Sequence, residues 1–88
     1  MIVKALDREW DVNDCSYKER RELHSKNAKV WWNDKQDIEA YYDLLEKVGE
    51  IAGLNEKDFE GMDMVDVDLV LQAIFIEYLG VSKKIVGG

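Results

Sequence analysis

Five carboxylates that lie close together in the sequence are the first candidates for chemistry: Asp58, Glu60, Asp63, Asp66 and Asp68. Carboxylate oxygens are the ligands that Ca²⁺ and Mg²⁺ prefer, so such a cluster raises the question of a cation site. An EF-hand loop, however, needs glycine at its sixth position and glutamate at its twelfth. Counted from Asp58, the sixth position is Asp63. The spacing therefore does not match a calcium loop, and we expect no metal site.

His24 and Cys15 are the only histidine and cysteine, and neither has neighbours that would complete a site. His24 lies among basic residues, without a cysteine or carboxylate at metal-ligand spacing, so we interpret it as a surface or packing residue. Cys15 has no activating partner in the local sequence, and we expect it to be a small buried side chain. Glycine-rich phosphate loops and nucleophile elbows are also missing from the sequence. We expect no enzyme activity and no cofactor.

The charge balance bears on the choice of partner. The 88-residue chain has a formal net charge of −7, which disfavours binding to a phosphate backbone that rewards lysine and arginine. Residues 17–35 sum to +3, whereas residues 36–80 sum to −10. The first helix can therefore face the rest of the chain, or a second copy, with favourable electrostatics. We expect a protein partner, and not a nucleic acid.

Length and hydropathy bound the domain organisation. A chain of this size forms one domain with a thin core, which we assign to residues 1–80 with a short tail at 81–88. Runs of about 18 uncharged apolar residues are lacking, and the N-terminus meets an acid too early for a signal peptide. The single cysteine fits a reducing compartment. We expect a soluble cytoplasmic protein that does not bind membranes.

The elements that position these residues are mainly helical, with a short N-terminal β-hairpin within residues 1–13. Two short β-branched and aromatic runs, Ile2–Leu6 and Glu9–Val12, predict the hairpin, with its turn at Asp7-Arg8. Ser16 and Glu19 form a capping-box pattern that starts a helix running from Tyr17 to about Trp32. Asn33 or Asp34 is predicted to cap a second helix that ends at Gly53. Asn55 is predicted to cap a single helical turn that is closed by Gly61. The fold prediction is thus a hairpin, three main helices and one short turn.

The last helix is predicted to begin after Asp63 and to stop at Gly80. Only Asp66, Asp68, Gln72 and Glu77 are polar within it, and they do not form a broad solvent face on a helical wheel. A helix that is apolar on most sides is either central to a core or covered by a partner. The small size of the domain favours an oligomer or a client-binding surface.

Four features follow one another along the chain: a hairpin ending in Trp10-Asp11-Val12, the segment from Cys15 to Leu23, a tyrosine-rich second helix, and the Met62–Asp68 segment before an apolar helix. In this order they resemble the tail assembly chaperones of long-tailed bacteriophages. The resemblance covers most of residues 1–80. Two features depart from the family pattern. An aliphatic residue is expected at the position of Cys15, and the Trp31-Trp32 pair is unusual.

The resemblance implies a chaperone in the host cell cytoplasm that coats the helical tape measure protein, keeps it soluble and helps recruit tail tube subunits. It also implies a homo-oligomer or a protein that coats a long client. Large apolar side chains would then cover the client's apolar stripe. The predicted partner-binding residues are Trp31, Trp32, Tyr41, Tyr42, Val67, Leu71, Ile74, Phe75 and Tyr78. Two other possibilities are a structural component retained in a phage particle and an acidic inhibitor that mimics nucleic acid.

Overall fold

The computed structural model describes residues 1–31 and 36–80, and it confirms the predicted fold class. The chain begins with an antiparallel two-stranded hairpin and continues with three helices and one 3₁₀ turn. In chain order these are β1 (Ile2–Ala5), β2 (Arg8–Asp11), α1 (Tyr17–Val30), α2 (Ile38–Ala52), the 3₁₀ turn (Glu56–Phe59) and α3 (Met64–Leu79). The predicted tail at 81–88, together with Trp32, Asn33 and Asp34, lies outside the described residues.

Side-chain caps start the helices, as the sequence predicts for α1 and α3. The Ser16 hydroxyl accepts a hydrogen bond from the Glu19 amide at 3.1 Å, and the Glu19 carboxylate accepts one from the Ser16 amide at 2.9 Å. Asp63 Oδ1 accepts the Asp66 amide at 2.9 Å at the start of α3. These bonds satisfy amide groups that the first turn of a helix leaves without a partner. Gly53 and Gly80 end α2 and α3 in the left-handed conformation, as expected.

The hairpin turn lies one residue earlier than predicted, at Leu6-Asp7 instead of Asp7-Arg8. Both turn residues have positive φ, 53° and 59°, as a tight two-residue turn between twisted strands requires. This register pairs Val3 with Trp10 and places both side chains in the core. Burial of Val3 and Trp10 therefore accounts for a turn that leucine and aspartate do not favour by themselves.

Two helix boundaries also differ from the prediction. Helix α1 ends at Val30 and not near Trp32, because Trp31 takes a non-helical conformation as its C-cap. Helix α2 is capped by Asp37 and not by Asn33 or Asp34. The Asp37 carboxylate accepts the Ala40 amide at 3.2 Å, and the Asp37 amide donates to the Val30 carbonyl at 2.8 Å. Asp37 therefore both caps α2 and ties its start to the end of α1.

The core lies where the three helices meet beneath the hairpin. Leu23 of α1, Val48 of α2 and Ile74 of α3 are all fully buried. Burial of each such side chain contributes about 1.5–3 kcal/mol, so these contacts dominate the stability of a small domain. Helix α3 also contacts β1, and the Trp10 ring packs against Phe59 with ring centroids 5.8 Å apart. The hairpin thereby closes one end of the helical core.

Polar contacts join the end of α3 to distant parts of the chain. The Tyr78 hydroxyl donates to the Asn13 carbonyl at 2.6 Å, and Arg20 Nη2 donates to the Leu79 carbonyl at 2.7 Å. Between α1 and α2, Lys47 pairs with Glu22 at 3.4 Å. In this pair the base lies in the acidic segment 36–80 and the acid in the basic segment 17–35. In the described part of the chain, no helix combines the length and apolar character needed to cross a bilayer.

Candidate protein-binding surface

Helix α3 carries apolar side chains on two opposite faces. Its core face presents Val70 and Ile74, both fully buried. The opposite face presents Val65, Leu69 and Ile76, which are 68%, 45% and 46% exposed. With Gln72, these three residues follow a spacing of four, three and four, which places them along one line of a helix. We call Val65, Leu69 and Ile76 the apolar stripe.

Two neighbouring tyrosines of α2 form hydrogen bonds to α3 next to this stripe. The Tyr42 hydroxyl donates to the Asp68 carboxylate at 3.1 Å, and Gln72 Nε2 donates to the Tyr41 hydroxyl. The two rings meet edge to face, with centroids 5.2 Å apart. The hydrogen bond to Asp68 and the carboxylate's charge raise the pKa of Tyr42, which favours the protonated hydroxyl that donates this bond. These contacts fix the orientation of α3 relative to α2.

A cleft of about 340 Å³ opens at the C-terminal end of the stripe. Trp31, which is 60% exposed, lies on one side of it, and Gln72, Phe75 and Ile76 lie on the other. Tyr41 also lines the cleft. The arrangement combines a large exposed aromatic ring with the end of an apolar stripe, the type of surface that anchors protein partners.

The structure separates the described residues of the predicted partner-binding set into three groups. Trp31 and Tyr42 are exposed, and Tyr41, Val67 and Phe75 are half-buried. The other described residues of the set are buried at 8%, 0% and 5% exposure: Leu71, Ile74 and Tyr78. Trp32 lies outside the described residues.

The assignment of Leu71, Ile74 and Tyr78 as partner contacts stays a prediction. Ile74 and Tyr78 pack into the protein's own core at 0% and 5% exposure, whereas Leu71, at 8%, also lines two surface cavities between α2 and α3. Large apolar residues occur on several faces of α3, and the sequence does not show which of these faces the rest of the chain covers.

Sequence reasoning missed the three residues of the stripe itself. Their regular spacing was present in the sequence, but the buried face of α3 has an equally regular spacing. Periodicity by itself cannot tell which of two apolar faces is turned inward. One weak signal was available, because Gln72, the only amide side chain in the helix, lies on the line of the stripe.

The residues first considered for chemistry have structural contacts. Asp63 caps α3, Asp58 accepts the Asn55 amide at 2.8 Å, and Asp68 accepts the Tyr42 hydroxyl. Within residues 1–31 and 36–80, no group of three or more histidine, cysteine or acidic side chains is placed to hold a metal ion. Cys15 is half-buried and not fully buried as expected, and desolvation raises the pKa of its thiol. A raised pKa lowers the thiolate fraction and with it the nucleophilicity of the sulfur.

Comparison with protein-family models, curated proteins and solved structures found no match to this chain.

Proposed function

We propose that this protein is a non-enzymatic chaperone that binds helical segments of a larger protein client. In the role implied by the resemblance, the client is the tape measure protein of a long-tailed phage, which the chaperone keeps soluble while tail tube subunits are recruited. The observation that supports this proposal is the apolar stripe on α3, which faces away from the protein's own core.

The stripe has an energetic reason to be covered. An apolar side chain of this size contributes about 1.5–3 kcal/mol when it is buried and not left in water. Scattered exposed apolar residues are common on soluble proteins, but Val65, Leu69 and Ile76 are aligned and end beside the exposed Trp31. An amphipathic client helix would bury the stripe along its own apolar face, as in helix-in-groove recognition.

The acidic surface supports the same role. A net charge of −7 makes copies of the chain repel one another and so favours solubility once the apolar surfaces are covered. A chaperone for an aggregation-prone helical client needs this combination of apolar contact surface and acidic exterior.

Co-expression with a candidate client tests the proposal. The chain is produced alone and together with a tape measure protein encoded in the same genome, and the mass of each soluble species is measured by light scattering after size-exclusion chromatography. We expect the client to be soluble only with the chaperone and to elute with it. Leu69→Asp and Ile76→Asp should each lower the amount of co-eluting client by at least about fivefold, because a buried charge in the contact costs more than 1 kcal/mol.

Tyr17→Asp is the matched control, since Tyr17 is 82% exposed and lies at the first position of α1, where an added acid is favourable. It should leave client binding unchanged. A soluble client that ignores the chaperone, or equal binding by the Leu69→Asp, Ile76→Asp and wild-type chains, would overturn the proposal.

A further inference from the structure

A second apolar surface lies between α2, the 3₁₀ turn and α3, on the side of α3 next to the stripe. Two adjoining cavities of about 330 and 240 Å³ share Leu45, Glu46 and Leu71. One extends toward Met64 at the start of α3, and the other toward Phe59 of the 3₁₀ turn. Because they share lining residues, the two cavities adjoin each other, and we call them together the acidic groove.

The floor of the acidic groove is apolar. Leu45 and Leu71 are 2% and 8% exposed and form its centre, while Met62 and Val67 extend the apolar lining at one end. Met64, which is 68% exposed, stands at the same end. The floor therefore offers contact to apolar side chains, and burial of Met64 by a partner would remove apolar surface from water.

Every charged residue that lines the groove is acidic: Glu46, Glu50, Glu56 and Asp68. Glu46, Glu50 and Glu56 are exposed, and Asp68 is half-buried and held by Tyr42. The one described cation in contact with these four acids, Lys47, reaches Glu50 at 3.9 Å without lining either cavity. Three of the acids therefore surround an apolar floor without a described basic partner.

From this arrangement we infer that the acidic groove binds an amphipathic helix whose apolar stripe is flanked by lysine or arginine. The inference rests on the proposed function and states which client segments are selected. Apolar residues of this helix enter the two adjoining cavities, and basic residues beside them meet the exposed Glu46 and Glu56 on the rim. Helical segments with acidic flanks are rejected by like-charge repulsion. The groove thus provides charge selectivity, which the uncharged stripe of α3 does not.

Fluorescence anisotropy with two synthetic peptides tests this inference. Both peptides carry leucines at alternating three- and four-residue spacing, and they differ only in that the flanking positions are lysine in one and glutamate in the other. We expect the lysine peptide to bind the wild-type chain and the glutamate peptide to bind at least about tenfold more weakly, a difference of about 1.4 kcal/mol. Raising the salt concentration should weaken the binding of the lysine peptide alone, because the attraction between exposed charges is screened.

Two variants locate the binding. Glu46→Lys reverses a rim charge and should weaken the binding of the lysine peptide by at least about threefold. Met64→Ser removes apolar contact without changing the charge and should weaken the binding of both peptides. Glu77→Lys is the matched control. It makes the same charge change at an exposed residue of α3 that lines neither cavity, and it should leave peptide binding close to wild type.

Equal effects of Glu46→Lys and Glu77→Lys would overturn the inference, because the attraction would then depend on net charge and not on the groove. Loss of self-association in Glu46→Lys with unchanged peptide binding would also overturn it, since the groove would then be an interface between copies. The two proposals can fail separately. A client that is lost by Leu69→Asp but bound normally by Glu46→Lys leaves the chaperone function standing and removes the role of the groove.

Discussion

At the scale of single residues, Tyr78 joins the last helix to the start of the chain. Its ring is 5% exposed, and its hydroxyl donates to the Asn13 carbonyl at 2.6 Å. Burial raises the pKa of Tyr78 from 10.0 to about 12, with smaller contributions from the nearby Cys15, Glu19 and Asp14. The folded state therefore favours the protonated hydroxyl.

The raised pKa predicts a loss of stability in alkali. The contribution of Tyr78 is fully present below pH 10.0, the ordinary pKa, and is lost as the pH rises through about 12. We expect the free energy of unfolding, measured with urea, to fall across that range. Tyr78→Phe should lower it by about 1 kcal/mol at neutral pH and should flatten the alkaline decline. Tyr42→Phe should keep most of the decline, and an equally steep decline in Tyr78→Phe would contradict the assignment.

The same residue shows why part of the site could not be predicted. The sequence places Tyr78 on an apolar helix, but its hydrogen-bond partner is 65 residues away. Local patterns carry no information about such a contact. The sequence pattern therefore does not distinguish Tyr78, which is buried, from Trp31, which is 60% exposed beside the end of α1.

At the scale of elements, the glycine within α2 offers a test of how closely α2 and α3 pack. A Cβ atom at Gly49 would lie 3.6 Å from Leu71 Cδ2, which is an ordinary van der Waals distance. Gly49→Ala should therefore raise the free energy of unfolding by about 1 kcal/mol, because alanine is the better helix former. Circular dichroism melts would show this as a higher Tm.

Gly53 provides the contrasting substitution at the end of the same helix. Its φ is +80°, and an added Cβ would lie 2.8 Å from Asn13 Nδ2. Gly53→Ala should lower the Tm, since both the backbone conformation and the contact oppose a side chain. A Gly49→Ala chain that melts below wild type would mean that α2 and α3 approach more closely than described.

The elements were more predictable than the site, because their ends depend on local chemistry. The Ser16–Glu19 capping box, the Asp63 cap and the glycines at 53 and 80 all act within a few residues of the chain. Prediction failed where several local signals competed. Asn33, Asp34 and Asp37 can all cap a helix, and the contact of Asp37 with Val30 identifies the residue that does so.

At the scale of the whole molecule, net charge opposes the association that the apolar stripe favours. The sequence pI is about 4.6, so lowering the pH toward that value removes the repulsion between copies while the stripe remains apolar. We expect light scattering to rise as the pH approaches 4.6. A chain with Leu69→Ser and Ile76→Ser has the same charge and should scatter less, whereas Tyr17→Ser should behave as wild type. Equal scattering by all three chains would exclude the stripe as the contact.

The position of α3 in the chain has a consequence for protein synthesis. The hairpin, α1 and α2 leave the ribosome before α3, yet Val70 and Ile74 of α3 complete the core that those elements share. Until α3 emerges, Leu23 and Val48 lack part of their cover, and the nascent chain presents apolar surface to cellular chaperones and proteases. We therefore expect a chain truncated before α3 to lack a closed core and to be degraded, instead of forming a smaller folded protein.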